Sequence, residues 1–235
     1  MKVHRFIGKF NLRKGKLVIA DKEFLNQMRK VLRLSEGEAI ILGDGNMNEA
    51  SATISGYGND SVEVDITEIR ENTNEPQGKV ILYCAILKKE NFELVVQKAT
   101  EIGIKKIVPV ISERTIKLEL RRDRMEKIIR EAAEQSGRGI VPVLHEPVDF
   151  GNAVKMAKDN SANYFFDISG DSFENCNLSI DNCAVGVWTG PEGGWDETEI
   201  KMAKEKGFKI INLGPLTLRA ETAAIVASSL VLIHN

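Results

Sequence analysis

The stretch that decides the fold is residues 80–103, which begins Val80-Ile81-Leu82-Tyr83-Cys84-Ala85-Ile86-Leu87 and ends at Gly103. Its opening apolar run is unbroken, which is typical of a strand that is buried on both faces. The apolar residues that follow recur at helical spacing and share one face: Phe92, Val95, Val96, Ala99 and Ile102. We expect Asn91 to cap the start of this helix and Gly103 to end it. A buried strand followed by an amphipathic helix predicts an α/β unit.

The same alternation of strand and helix continues to the end of the chain. We expect further strands at residues 107–111, 164–168, 184–189 and 208–213. We expect helices around residues 125–133, ending at Gly137, at 197–206, and from about 219 to 234. Together these segments predict a mostly parallel sheet covered by helices on both faces, with ligands at the carboxyl ends of its strands.

The first 70 residues show a different pattern, dominated by short strand-like runs at residues 16–19, 39–42 and 61–66. Turn-forming segments at 43–46 and 56–60 separate them, and one helical stretch lies near residues 22–34. The polar segment 71–78, Glu-Asn-Thr-Asn-Glu-Pro-Gln-Gly, is the best linker candidate. We therefore expect a β-rich domain over residues 1–73 and an α/β domain over residues 74–235.

Composition indicates an ordinary globular protein: of 235 residues, 43% are hydrophobic and 28% are charged. No apolar run is long enough to span a bilayer, and the N-terminus lacks the apolar stretch of a signal peptide, so we expect a cytoplasmic protein without membrane contact. The cysteines and histidines are few and scattered, which predicts neither a disulfide framework nor a metal site: Cys84, Cys176, Cys183, His4, His145 and His234.

The formal net charge is only −2, but the charges are unevenly distributed. Residues 1–33 carry ten Lys or Arg and two acidic residues, whereas residues 34–73 carry one base and nine acids. Residues 85–140 are basic again, with thirteen bases and nine acids. A near-neutral total can hide basic faces that follow a phosphate backbone. The alternative is that the charges mix on the folded surface, and charge alone does not decide between the two.

Two glycine loops follow consecutive predicted strands near the C-terminus. The first is Thr189-Gly190-Pro191-Glu192-Gly193-Gly194, and the second is Leu213-Gly214-Pro215-Leu216-Thr217-Leu218-Arg219. Glycines let a backbone approach a flat ligand closely. Neither loop matches a P-loop, a dinucleotide fingerprint or a nucleophile elbow. Each loop alone is compatible with a tight turn that binds nothing, but two on consecutive strands favour a small-molecule site.

Five ordered segments carry a resemblance to a known family: residues 88–103, 109–114, 131–138, 189–194 and 213–223. The basic segment Arg29-Lys30-Val31-Leu32-Arg33 also matches. In this order the segments resemble the ribosomal RNA small subunit methyltransferase E family, over essentially the whole chain. Met125 departs from the family pattern, which has a tryptophan in many relatives, and we interpret it as a substitution in the core.

The resemblance implies a SPOUT-type C-terminal domain with a deep trefoil knot, an N-terminal PUA-like β-barrel that helps to hold RNA, and a homodimer. A knot is a rare exception to the rules of chain topology. The resemblance also implies S-adenosylmethionine as cofactor and methylation of N3 of one uridine in 16S ribosomal RNA of the small subunit. The alternatives are a noncatalytic RNA-binding or ribosome-assembly protein, methylation of another RNA base, and a small-molecule methyltransferase.

The expected cofactor contacts follow from the same resemblance and lie on one strand end, both glycine loops and the last helix. They are Phe166, Thr189, Gly190, Pro191, Glu192, Gly193, Gly194, Leu213, Gly214, Leu218, Arg219, Ala220, Thr222 and Ala223. For Glu192, a hydrogen bond to cofactor or substrate and a turn-stabilising role both remain open.

Methylation at N3 of uracil requires removal of the N3 proton and stabilisation of the charge that spreads onto O2 and O4. Arg219 is the first choice for stabilising that charge, and the alternative is a structural arginine that caps its loop. Glu221 is a candidate base or orienting residue, and the alternative is a carboxylate favoured by the helix dipole. The expected RNA contacts are basic residues that are credible as a group, although each alone is more often a solvated charge: Arg5, Arg29, Lys30, Arg33, Lys88, Lys89, Arg114 and Arg138.

Overall fold

The computed structural model describes residues 3–116, 120–175 and 183–233, which fold as two compact units. The first unit comprises Met1–Glu75 with Ala133–Val141, and the second comprises Pro76–Ala132 with Pro142–Asn235. Cys176 and His234 lie outside the described residues. The domain boundary after residue 73, which the sequence suggests, stays a prediction.

The first unit is built on a five-stranded sheet with the order β1-β3-β4-β5-β2. Its strands are β1 (His4–Ile7), β2 (Gly15–Ile19), β3 (Ala39–Gly43), β4 (Asn48–Tyr57) and β5 (Val62–Glu71). The pairings are antiparallel except for the parallel pair of β1 and β3. Helix α1 (Lys22–Asn26) continues into a π-helical turn, Gln27–Val31, and covers a core that includes Phe6, Met28 and Leu42. The β-rich character expected for this region is confirmed.

Two strands of the first unit, β1 and β4, are absent from the sequence prediction. β4 consists largely of Ala, Ser, Thr and Gly, of which only Thr favours strands, yet it pairs with β3 and β5 and buries alternate side chains. The turn expected at residues 56–60 starts later, because Gly56 and Tyr57 still belong to β4.

The polar segment at residues 71–78 is anchored by buried hydrogen bonds within the first unit. The Glu75 carboxylate, which is 5% exposed, accepts hydrogen bonds from the Arg138 guanidinium at 2.9 and 3.0 Å and from the amide of Gly139 at 3.1 Å. The Asn72 side chain donates to the Gly137 carbonyl oxygen at 3.1 Å. Asn72 and Glu75, which lie in the segment that resembles a linker in the sequence, therefore hold residues 137–139 within the first unit.

The second unit contains a seven-stranded sheet in which all pairings are parallel. Its strands are β6 (Lys79–Ala85), β7 (Lys106–Ile111), β8 (Val143–Leu144), β9 (Val148–Asp149), β10 (Ala162–Ser172), β11 (Ala184–Thr189) and β12 (Lys209–Asn212). The order is β12-β10-β11-β6-β7-β8, and β9 pairs with the other end of β7. The expected parallel sheet is confirmed, while the trefoil knot stays a prediction.

The helices are α2 (Lys89–Ile102), α3 (Arg122–Ser136), α4 (Phe150–Met156), α5 (Glu197–Glu205) and α6 (Ala220–Ile233), with short 3₁₀ turns at Ala157–Asp159 and Phe173–Asn175. One sheet face packs against α4 and α5 through an aromatic core, in which Tyr83 stacks on Trp188 with ring centroids 4.2 Å apart. On the sheet, α6 packs against β6 and β11, and α2 lies beside it. The sheet is buried on both faces, as its continuous apolar strands predict.

The expected start of helix α2 is wrong. The helix begins at Lys89 with Lys88 as its N-cap, and Asn91 lies inside its first turn. The Lys88 amide is satisfied by the distant Glu192 carboxylate at 2.9 Å, a contact that no local pattern shows. The expected stop is confirmed, because Gly103 adopts a left-handed conformation with φ +112°.

No helix within the described ranges is both long and apolar enough to cross a membrane. Within the same ranges, no group of three or more His, Cys, Asp or Glu side chains could hold a metal ion.

Candidate functional site

A cleft that is open to solvent lies where β10 leaves the ladder after Phe166 and at the carboxyl end of β12. Its walls come from both strand ends, the loop after β12 and the start of α6: Phe166, Asp167, Ile168, Ile211, Asn212, Leu213, Leu216, Thr217, Leu218 and Ala223. The cleft is mostly apolar, with a few polar groups among its walls.

Strand register places the starts of both glycine loops on either side of Phe166, although only the second loop contributes residues to the cleft wall. Phe166 on the central strand β10 pairs with Thr189 of β11 on one side and with Ile211 of β12 on the other. Because parallel strands end at the same edge of the sheet, the loops that leave β11 and β12 start on either side of Phe166. The sequence prediction of two loops at one sheet edge matches this arrangement.

An excursion of β10 forms one wall of the cleft. The register between β10 and β12 shifts between Phe166 and Asp171, so the intervening residues leave the ladder. A Cβ at Gly170 would lie 2.5 Å from the Ile211 amide nitrogen, which requires glycine at this close approach. The Asn212 side chain donates to the Ile168 carbonyl oxygen at 2.8 Å and fixes the excursion.

The second glycine loop, after β12, is held mainly by its own residues. Gly214 has φ +124°, and its amide donates to the Asn212 side-chain oxygen at 2.9 Å. Arg219 is exposed, and its side chain has no hydrogen-bond or ion-pair partner among the described residues. The loop-capping alternative for Arg219 therefore has no contact to support it. Glu221, 9% exposed, lies in the first turn of α6, where the helix dipole favours a carboxylate.

The first glycine loop, after β11, is fixed by contacts on several sides. Gly190 packs against the Trp195 ring, and the Trp195 indole donates to the Phe166 carbonyl oxygen at 3.2 Å. Gly194 has φ +70°, and its amide donates to the Pro191 carbonyl oxygen at 2.9 Å. The Glu192 carboxylate accepts the Lys88 amide, which supports the turn-stabilising role for Glu192.

The titratable groups near this edge differ in their surroundings. Burial raises the pKa of the Cys84 thiol to about 12, so this cysteine at the end of β6 stays a neutral thiol. Burial also raises the pKa of Glu199 on α5. Hydrogen bonds from Thr198 lower the pKa of Asp196, and Arg114 lowers it further.

Of the expected cofactor contacts, Phe166, Leu213, Leu218 and Ala223 line the cleft. The remaining ones do not line it. Gly214, Arg219, Ala220 and Thr222 are close to lining residues along the chain, whereas Thr189, Gly190, Pro191, Glu192, Gly193 and Gly194 belong to the first glycine loop, after β11. Leu216 and Thr217 of the predicted second loop also line the cleft, whereas sequence reasoning missed Asp167, Ile168, Ile211 and Asn212. These residues lie at or near the carboxyl ends of the predicted strands 164–168 and 208–213. Strand ends, and not glycines alone, were therefore the signal that could have identified them.

The expected RNA contacts separate into exposed and engaged side chains. Arg29, Lys30, Arg33 and Lys88 are exposed, and the side chain of Lys89 lies outside the described part of the chain.

Two expected RNA contacts require correction. Arg138 is 4% exposed and is paired with Glu75. Arg5 is nearly buried and forms an ion pair with Glu49. Neither guanidinium is available to a phosphate, because each already satisfies a buried carboxylate.

Comparison with protein families places this chain among the RNA methyltransferases. The RNA methyltransferase domain family matches residues 73–232, and the RNA methyltransferase PUA domain family matches residues 28–67. The first match covers most of the second unit, and the PUA match lies within the first unit.

Individual relatives narrow the class. Ribosomal RNA small subunit methyltransferase E of Mesomycoplasma hyopneumoniae is 37% identical over 174 residues, covering 70% of this chain and 74% of the relative. The chain belongs to the ribosomal RNA small subunit methyltransferase E family, as its sequence motifs predict.

Two solved structures have the same fold along nearly the full length. A methyltransferase from Legionella pneumophila, in complex with the cofactor SAM, has a TM-score of 0.91 at 30% identity and covers 99% of this chain and 98% of its own. Ribosomal RNA small subunit methyltransferase E from Neisseria gonorrhoeae, bound to S-adenosyl methionine, has a TM-score of 0.88 at 30% identity, with coverages of 97% and 96%.

Proposed function

We propose that this protein transfers a methyl group from S-adenosylmethionine to N3 of one uridine in 16S ribosomal RNA. The observation that carries the proposal is the cleft beside Phe166 of β10 and the carboxyl end of β12, with the starts of two glycine loops on either side of Phe166. Family membership supports the same reading, because two relatives of the same fold are described with this cofactor bound.

The chemistry of the cleft fits S-adenosylmethionine. The apolar walls, including Phe166 and Leu218, suit a flat adenine ring. Asp167, Asn212 and Thr217 offer polar groups for hydroxyl and amino groups of the ligand. A Cβ at Gly214 would meet open space, so its backbone is accessible to a ligand. When bound, this cofactor supplies a methyl group on a good leaving group.

The wider set of cofactor contacts stays part of the proposal. It comprises Gly214, Arg219, Ala220 and Thr222, which are close to lining residues along the chain, together with residues 189–194, whose loop starts at Thr189 beside Phe166. Glu192 enters this set through its backbone, because its carboxylate is occupied by the Lys88 amide.

The proposed role of Arg219 follows from its exposed side chain, which has no partner among the described residues. An exposed guanidinium with no described protein partner can donate to O2 or O4 of the uracil and stabilise the anion left after N3 loses its proton. Glu221 is the candidate to accept that proton, although its buried position in the first turn of α6 favours the helix-dipole role. Alignment of uracil N3 with the methyl group of the cofactor lowers the activation barrier of methyl transfer further, by up to roughly 7–11 kcal/mol.

The exposed basic residues are the proposed RNA contacts. Arg29 and Lys30 lie on the π-helical turn of the first unit, and Arg33 follows it. The Arg29 guanidinium lies 4.6 Å from the centre of the Tyr57 ring and donates to the Gly58 carbonyl oxygen, so it is held in place before any RNA arrives. Lys88 and Lys89 complete the set. The proposed partners are 16S ribosomal RNA, free or in the small subunit, and a second copy of the chain.

Two measurements test the proposal. The first is calorimetry with S-adenosylmethionine on the wild type and on Ala223→Phe, which fills the cleft, with Met202→Phe on exposed α5 as the matched control. We expect binding to be lost only in Ala223→Phe. Unchanged affinity in a folded Ala223→Phe protein would refute the cleft as the cofactor site.

The second measurement is mass mapping of 16S RNA, free and in small subunits, after incubation with protein and labelled cofactor. A single methyl group on uridine N3 is the expected result. Cofactor binding without any methylation would favour the noncatalytic RNA-binding alternative, and a methyl group on another base would correct the position.

A further inference from the structure

The turn at residues 192–196 is tied to the ends of two neighbouring strands. The Glu192 carboxylate accepts the amide of Lys88, which follows β6, at 2.9 Å. Arg114, which follows β7, donates from Nη1 to the Gly193 carbonyl oxygen at 3.0 Å. Its Nη2 donates to the Asp196 carboxylate at 3.3 Å. One guanidinium therefore bridges the two ends of the turn that carries Gly193 and Gly194.

The backbone that carries Arg114 is itself anchored to α5. The Glu113 amide donates to the Glu199 carboxylate at 3.1 Å, and the other oxygen of that carboxylate accepts the Asp196 amide at 2.9 Å. Glu199 is buried, so these bonds lie away from competing water. The Arg114 side chain thus starts from a fixed point and ends on the turn.

The same contacts argue against Arg114 as a phosphate contact. Two of its donors are already used by acceptors in the turn, and a Cβ placed on Gly193 would touch the Arg114 side chain at 3.5 Å. The side chain is 46% exposed, so its occupied donors, rather than burial, distinguish it from a free surface charge. A guanidinium can bridge two acceptors with its planar fork, whereas the single ammonium of a lysine cannot reproduce that geometry.

We infer that Arg114 is a positioning residue, which holds the turn at residues 192–196 in the shape that S-adenosylmethionine requires and does not contact RNA. The inference rests on the proposed function for its ligand. The ordering of the turn, however, is a property of the protein alone and can be measured without ligand.

The first test is amide hydrogen exchange of the ligand-free protein over residues 190–196. Arg114→Ala is compared with Arg121→Ala, which removes the same charge from an exposed pair with Asp123. We expect exchange of this segment to be about threefold to tenfold faster in Arg114→Ala and unchanged in Arg121→Ala, with equal melting temperatures. Unchanged exchange in Arg114→Ala would overturn the inference, whether or not the wild type binds the cofactor.

The second test is the dissociation constant for S-adenosylmethionine together with the salt dependence of RNA binding. Arg114→Ala should weaken cofactor binding about threefold to tenfold, and Arg114→Lys should recover only part of the loss. The salt slope of RNA binding should match the wild type. A slope lower by about one with normal cofactor affinity would instead make Arg114 a phosphate contact. A wild type that fails to bind S-adenosylmethionine would refute the proposed function, not the ordering of the turn.

Discussion

The two glycine loops at the cleft edge are built in opposite ways. The loop after β11 is braced from outside by the Lys88 amide and the Arg114 guanidinium. The loop after β12 is held by its own Asn212 and presents free side chains, with Leu216 76% exposed and Arg219 without a described partner. Substitutions in the braced loop should therefore act on shape, whereas those in the open loop should act directly on ligand or chemistry.

The largest expected effect is at Arg219 in the open loop. Arg219→Ala should lower the methyl-transfer rate about 100-fold to 1000-fold, because a donor to the developing anion is lost. The dissociation constant for S-adenosylmethionine should stay within about twofold, since the side chain is not part of the cleft wall and the proposed cofactor contact of Arg219 is through its backbone. Single-turnover kinetics and calorimetry provide the two numbers. Arg219→Lys, which keeps the charge, is the control and should retain part of the rate. Equal rates in all three proteins would leave Arg219 as a surface charge.

The next effect compares one glycine from each loop. Gly214 has φ +124°, so Gly214→Ala is strained by about 1–3 kcal/mol and should weaken cofactor binding about tenfold. Gly193 has no positive φ, and an added Cβ would meet only the Arg114 side chain at ordinary contact distance. Gly193→Ala should therefore change the affinity less than about twofold. Calorimetry on both variants decides, and equal losses would remove the distinction between the loops.

A smaller effect is the pH dependence of the bracing at Glu199. Burial raises the pKa of this carboxyl, so the folded state binds its proton more tightly than the unfolded state does. Its contribution to stability is full below the unfolded pKa and is lost as the pH rises through the folded pKa. The free energy of unfolding of the wild type relative to Glu199→Gln should therefore fall as the pH rises across that range. Urea unfolding at several pH values measures it, and a difference that rises with pH would contradict the assignment.

The smallest effect is expected away from both loops, at Arg33. This residue has φ +55°, a conformation that glycine adopts without strain. Arg33→Gly should leave the free energy of unfolding unchanged or higher, weaken RNA binding by about threefold, and lower its salt slope by about one. Lys30→Ala is the matched control, since it removes a charge without relieving a left-handed residue. Unaltered RNA binding in both variants would remove this turn from the RNA surface.

Much of the fold could be predicted because burial on both faces leaves an unbroken apolar run in strands such as β6, and Gly103 marks its own helix end. β4 escaped because its small polar residues become a strand only through their neighbours. For the site, glycines revealed the two loops, but the walls contributed by Asp167 and Asn212 depend on a register shift that no local pattern shows.

The errors among the predicted RNA contacts have a similar cause. Arg5 and Arg138 look like surface charges in sequence, since their carboxylate partners lie 44 and 63 positions away. Charge counts identified basic segments correctly, but only the folded partners separate a buried ion pair from a free cation.

The bond between Glu75 and Arg138 has a consequence for how the chain is made. The chain emerges from the ribosome with its N-terminus first, so the carboxylate of Glu75 emerges well before the guanidinium of Arg138 that neutralises it. The Asn72 side chain waits in the same way for the Gly137 carbonyl oxygen. Until residue 138 has left the exit tunnel, burial of the Glu75 carboxylate would not be compensated by the Arg138 guanidinium. The nascent first unit therefore favours conformations in which this carboxylate stays hydrated. The N-terminal unit, although it is translated first, can complete its folding only after more than half of the chain has been synthesised.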